Sequence, residues 1–186
     1  MKTSLIIVLV IFSITANAQS LNNNWKSNLN AALNEFKACN NASENGINPC
    51  NKFLGESLKI VYNIDDFYSK NAGRYMLVNE MADFLESSNS WTEMGKVFDQ
   101  NTLDKAQAQA NAGKAVIAIY IDASGLGHMS VILPGDMHTS ATWSLKVPNS
   151  SSFFTIKPQD AYIDKGLSYA FNKSQAVQVK LYTRNY

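Results

Sequence analysis

The chain has 186 residues, of which 46% are hydrophobic, and its 16 Lys and Arg stand against 15 Asp and Glu, a formal charge of +1. That length suits one domain with a hydrophobic core, and so even a charge balance, without basic clusters, gives no electrostatic reason to expect nucleic acid as a partner. Two cysteines and two histidines without compact ligand spacing argue against a zinc site, and no cofactor is expected.

Residues 1–18, MKTSLIIVLVIFSITANA, carry one lysine near the start, an apolar run from Leu5 to Ile14, and Ala16, Asn17, Ala18 at the end. This is the order of a secretory signal peptide, with an apolar part too short for a membrane span. The expectation is a mature single domain over 19–186, without a transmembrane segment, secreted or periplasmic in the cell envelope. A disulfide is chemically permitted there.

Trp25, Leu29, Leu33 and Phe36 recur at spacings of three and four, the pattern of a helix face. The turn-forming stretch NNASENGINP follows. Pro49 suits the first turn of a second helix, because its fixed φ and missing N–H do no harm there; Phe53, Leu54, Leu58, Ile60 and Val61 supply the buried face to about Tyr62. Asp65 and Asp66 read as a turn or helix cap. RYMLVNEMADFLESS predicts a third helix, Trp91 to Phe98 a short packed element, and NTLDKAQAQANAG a fourth helix stopped at Gly113.

From Lys114 the period changes. KAVIAIYIDA reads as a central strand, and GLGHMSVILPG as a turn, a strand and another turn. Further strands are predicted at Thr142 to Val147, Phe153 to Ile156 and Val177 to Tyr182, while GDMHTS, containing His138, reads as a loop with a solvated histidine. Helices first and strands second predict an α+β fold, with N-terminal helices packed on a C-terminal antiparallel sheet.

Cys50 stands where helix amides would favour a thiolate, and an imidazolium at His128 would favour it further. The remaining residues of the two segments, Asn51, Phe53 and Leu54, then Gly127, Met129, Ser130, Val131, Ile132, Pro134 and Gly135, extend the pattern. Across residues 48–62 and 105–135 it resembles the papain-like cell-wall hydrolases of the NlpC/P60 and CHAP amidase group.

The resemblance implies a papain-like NlpC/P60-type domain that cleaves an amide bond of bacterial peptidoglycan by cysteine nucleophilic catalysis. Cys50 would be the nucleophile, His128 the base and Asn149, in VPNS, the residue that orients the imidazole. The N–H of Cys50 would serve the oxyanion. Asn51 and Trp143 are the expected substrate contacts, and a proteinaceous inhibitor or immunity protein is a further expected partner. The alternative is a Cys39–Cys50 disulfide, worth roughly 2–4 kcal/mol by loop-closure arguments, in a noncatalytic secreted envelope-binding or structural protein.

Overall fold

The computed structural model describes residues 21–40, 42 and 46–186. The signal peptide expected at 1–18 lies outside them. Helix α1 (Trp25–Ala38) buries Leu29, Ala32 and Phe36 on one stripe. A 3-10 turn at Pro49–Asn51 leads into α2 (Lys52–Tyr62), which ends at Asn63 in the left-handed region with φ 55°. Gly55 lets α2 sit against the following hairpin: a Cβ there would stand 2.6 Å from the Tyr75 ring.

That hairpin, β1 (Tyr68–Ser69) and β2 (Arg74–Tyr75), takes the first residues assigned by sequence to the third helix. Helix α3 (Val78–Ser87) begins later because Glu80 accepts from the Leu77 N–H at 2.7 Å while pairing with Arg74 at 2.7 and 2.8 Å. The element at Trp91 is strand β3 (Trp91–Lys96). Helix α4 (Gln100–Asn111) starts at Asp99, whose carboxylate accepts from the Asn101 N–H and the Thr102 hydroxyl.

Strands follow: β4 (Val116–Ile121), β5 (Gly127–Ile132), β6 (His138–Ser140), β7 (Leu145–Val147), β8 (Asn149–Ser152) and β9 (Tyr162–Gly166). A short helix α5 (Lys173–Ala176) precedes β10 (Lys180–Arg184). The main sheet is antiparallel throughout, in the order β3-β10-β4-β5-β8-β9, so the C-terminal strand inserts between β3 and β4. Strands β6 and β7 form a separate hairpin. The mixed α+β architecture expected from sequence is present.

Both faces of this sheet are covered. Residues Ile117, Ile119, Met129, Val131 and Tyr182 join the core under α1, α2 and α3, where Phe36, Phe53 and Phe153 meet with ring centroids 5.2–6.0 Å apart. Val116, Ala118, Ile132 and Leu181 point the other way, into a second core closed by α4, the β6–β7 hairpin and the chain around Phe171. Tyr62 fastens the first core to the sheet, its hydroxyl donating to the Ile132 carbonyl at 2.6 Å.

Three strand assignments need correction. The strand expected at Phe153–Ile156 lies one block earlier, at β8, whose residues Asn149–Ser152 are all buried. Three of the four side chains bond to neighbouring strands, Asn149 to Asp164, Ser152 to His128 and Ser150 to the Lys165 carbonyl at 3.0 Å, while the Ser151 hydroxyl has no partner among the described residues. The other two strands begin about three residues later than expected, at Leu145 and Lys180, and GDMHTS contributes β6 where a loop was expected. Among the described residues no helix is long and apolar enough to cross a membrane.

Candidate functional site

The turn that carries Cys50 has the local geometry expected of it, with Pro49 at its first position and Asn48 as its cap. The sulfur, however, is bonded to Cys39, with the two Cα atoms 6.1 Å apart. Cys39 directly follows α1 and Cys50 lies in the 3-10 turn that leads into α2, so the disulfide staples two packed helices at the ends where the chain reverses. The half-cystine at 50 is 1% exposed and belongs to the aromatic core. Its backbone N–H, the amide assigned to the oxyanion, already donates to Asn48 Oδ1 at 2.9 Å.

The nucleophile assigned to Cys50 is therefore overturned, and with it the cysteine peptidase or amidase and the peptidoglycan hydrolase. A disulfide sulfur carries no thiolate to attack a carbonyl.

His128 lies on the other side of the sheet. Along β5 the side chains alternate: Met129 and Val131 enter the core that holds Cys50, whereas Ile132 enters the opposite one, and His128 shares its parity. Its ring stacks on Phe154 at a centroid distance of 4.5 Å and 12° between planes, with the Phe171 ring at 5.6 Å. The sheet itself separates His128 from Cys50.

The hydrogen-bond partner of His128 is Ser152, through Nε2 and Oγ. Ser152 is fully buried and pairs across strands with Ser130 and Tyr162. Beside it the Ser150 and Tyr162 hydroxyls are 3.0 Å apart, and the Ser130 hydroxyl donates to the Ser151 carbonyl at 2.8 Å. Burial lowers the His128 pKa to about 4 and pushes the Tyr162 phenol up to about 12, so both are neutral at pH 7. Among the described residues no carboxylate hydrogen-bonds the imidazole. The contact joins β5 to β8 through a neutral imidazole and a buried serine.

Asn149 does orient a histidine, but it is His138. Asn149 Oδ1 and His138 Nε2 are 3.1 Å apart, and the Asn149 amide donates to Asp164 at 3.0 Å and to the Pro134 carbonyl at 3.2 Å. Asp164 in turn binds Lys26 at 2.6 Å. Burial works against this carboxylate, yet the Lys26 ammonium and the Asn149 amide hold it below its usual pKa. The chain from His138 to Lys26 ties α1, β6, β8 and β9 together. Sequence reasoning missed Asp164 because nothing in its neighbourhood marks a residue that adopts φ 57° to reach Asn149.

Of the expected substrate contacts, Asn51 is half-buried in the 3-10 turn beside the disulfide. Trp143 is 4% exposed, packs near Phe98 at a centroid distance of 5.9 Å, and has its indole nitrogen buried without a hydrogen-bond partner among the described residues. Asp65 and Asp66 are not simple solvated caps: Asp65 binds Lys59 and the Tyr75 hydroxyl, while Asp66 takes the Arg184 fork and the Trp91 indole. Among the described residues no three His, Cys, Asp or Glu side chains gather to hold a metal ion.

What the His128 region does offer is space. A pocket of about 350 Å³ opens beside the ring, lined by Tyr120, Asp122, Leu126, Phe154 and Gln175. Compared with known proteins, the chain matches no family model, and no curated protein is significantly similar to it.

Proposed function

We propose that the chain is an exported, noncatalytic binding protein of the cell envelope, stapled by its Cys39–Cys50 disulfide. The observation that carries this reading is the crosslink itself, which uses both cysteines of the chain. Such a bond persists in oxidising compartments and not in a reducing cytosol, in agreement with the signal-like order of residues 1–18. A chain that holds a ligand without cutting it needs a preformed concavity and no nucleophile, and the pocket beside His128 and Phe154 fits that requirement.

Bacterial peptidoglycan is the partner we propose, as the polymer an exported envelope protein meets. In this reading the likeness to the NlpC/P60 group concerns the arrangement of a cysteine-bearing helix on an antiparallel sheet, and the hydrolytic chemistry is absent. A proteinaceous partner takes second place, since no face has been assigned to one.

The test is co-sedimentation of the oxidised mature protein with purified cell-wall sacculi of several chemotypes, with free amines and thiols counted in the same samples. The expected result is saturable sedimentation, no release of amine and no free thiol. Protein that stays in the supernatant with every chemotype would remove peptidoglycan as the partner, and two free thiols would remove the disulfide-stapled reading altogether.

A further inference from the structure

Two pockets adjoin on the side of the molecule that carries β9, sharing Phe154 and Ile156. The larger, about 620 Å³, lies between the end of α1, the 154–161 loop and β9, and contains Lys37, Lys157, Lys165, Tyr162 and Tyr169. The smaller continues past His128 to Leu126. Each is within the size range of small-molecule sites.

Two observations distinguish this groove. The three most exposed large apolar side chains among the described residues, Ile156 at 88%, Leu126 at 68% and Tyr169 at 67%, all line it. Single exposed apolar residues are ordinary, whereas a contiguous group marks an interaction site. The larger pocket also gathers three lysines against one carboxylate, Asp160, and none of the three forms a salt bridge among the described residues. Lys165 lies over the Tyr162 and Tyr169 rings at 5.7 and 5.3 Å, which holds a cation and two apolar ring surfaces in one place. On a chain whose charges nearly cancel, this is a local excess of positive charge beside apolar surface.

We propose that the groove binds a single anionic amphiphile. Its carboxylate or comparable anion sits among Lys37, Lys157 and Lys165, and its aliphatic or flat apolar body lies along Phe154 and Ile156 toward Leu126. The lysines line a concavity floored by the buried Tyr162, a shape that takes one molecule from solution and not the flat surface of a bilayer. Charge complementarity sets the sign of the ligand, and the exposed apolar rim requires more than a small inorganic ion.

The groove takes in the pocket beside His128 and Phe154 that the wall-binding reading also uses, but the two tests fail separately, because sacculi offer no such amphiphile and the probe contains no wall polymer. The experiment titrates the oxidised protein with sodium decanoate below its micelle concentration, followed by calorimetry and amide NMR. Decanol, decyltrimethylammonium and anionic phosphatidylglycerol vesicles form the other arms. The expected result is saturable decanoate binding that shifts the resonances of Ile156, Tyr162 and Tyr169, weaker binding of decanol and weakest of the cation. The double change Lys157→Glu and Lys165→Glu should weaken decanoate about tenfold, and Tyr169→Ala should weaken decanoate and decanol alike. If the charge reversals unfold the chain, Lys157→Gln with Lys165→Gln reads the same loss. No saturable decanoate binding, equal affinity for all three decyl compounds, or binding to vesicles alone would overturn the proposal.

Discussion

Removing the Cys39–Cys50 crosslink should destabilise the protein by an amount that its position in the chain sets. The bond spans a separation of 11 residues, and the loop-closure relation for that length gives about 2.8 kcal/mol at 25 °C. In a domain of this size 1 kcal/mol moves the melting temperature by about 2–4 °C, so reduction should lower it by about 6–11 °C. Cys39→Ser and Cys50→Ala each break the same bond, and the double variant should therefore be far less destabilised than the sum of the two. Cys50→Ala should be slightly worse than Cys39→Ser, since position 50 is fully buried beside Phe36 and Phe53 while position 39 is half-buried. The assay is a thermal melt by circular dichroism with and without reductant, alongside thiol titration of the denatured, unreduced protein. Identical melts in the two conditions, or two thiols per chain in protein recovered from its native compartment, would refute the reasoning.

Two other perturbations test the ionisable groups. The His128 pKa is lowered from 6.5 to about 4 by burial, so between those values the unfolded chain holds the extra proton and stability falls as the pH drops. The loss is complete near pH 4 and amounts to about 3 kcal/mol if the whole shift is realised. His128→Gln, which can still bond Ser152, should flatten urea midpoints between pH 6.5 and 4, and an imidazole resonance titrating near its ordinary value would contradict the desolvation of this half-buried ring. Asp66→Ala should cost roughly 2–3 kcal/mol, because it removes the carboxylate that the Arg184 guanidinium and the Trp91 indole share. Asp65→Ala, whose Lys59 partner is half-exposed, should cost roughly 0–1 kcal/mol; equal urea midpoints for the two variants would defeat the distinction.

The elements that sequence located well are those with an unambiguous period or a strong boundary. The spacing of Leu29 and Phe36, the proline at position 49 and the apolar run at Val116–Ile121 each correspond to an element in place. Those it missed lack such signals. Strand β8 is Asn-Ser-Ser-Ser, strongly polar, and is held by hydroxyls that bond across the sheet. Strand β9 spans Tyr162–Gly166 and contains Asp164 with positive φ, a conformation that propensity reads as a turn. Local preference gave way at both places to pairing with residues ten or more positions away.

The candidate dyad failed for a different reason, one of parity. Cys50 was correctly placed at the start of a helix that packs on the sheet, and His128 correctly placed on a central strand of it. Whether they meet depends on which face of β5 that helix covers, and alternation resolves this only where one face is polar. Here Met129 and Val131 are buried on one face and Ile132 on the other, so β5 is covered on both sides and its pattern does not distinguish them. The disulfide removes the ambiguity from the cysteine's side. By tying Cys50 to the end of α1 it holds the turn within the helix-covered core, and a histidine of opposite parity can reach it only if the strand slips by one residue. Such a slip would carry Val131 and Met129 out of that core and break the register of Ala118 with Ser130 and of Ser130 with Ser152. A rearranged, catalytically competent dyad is thus opposed by the whole buried sheet.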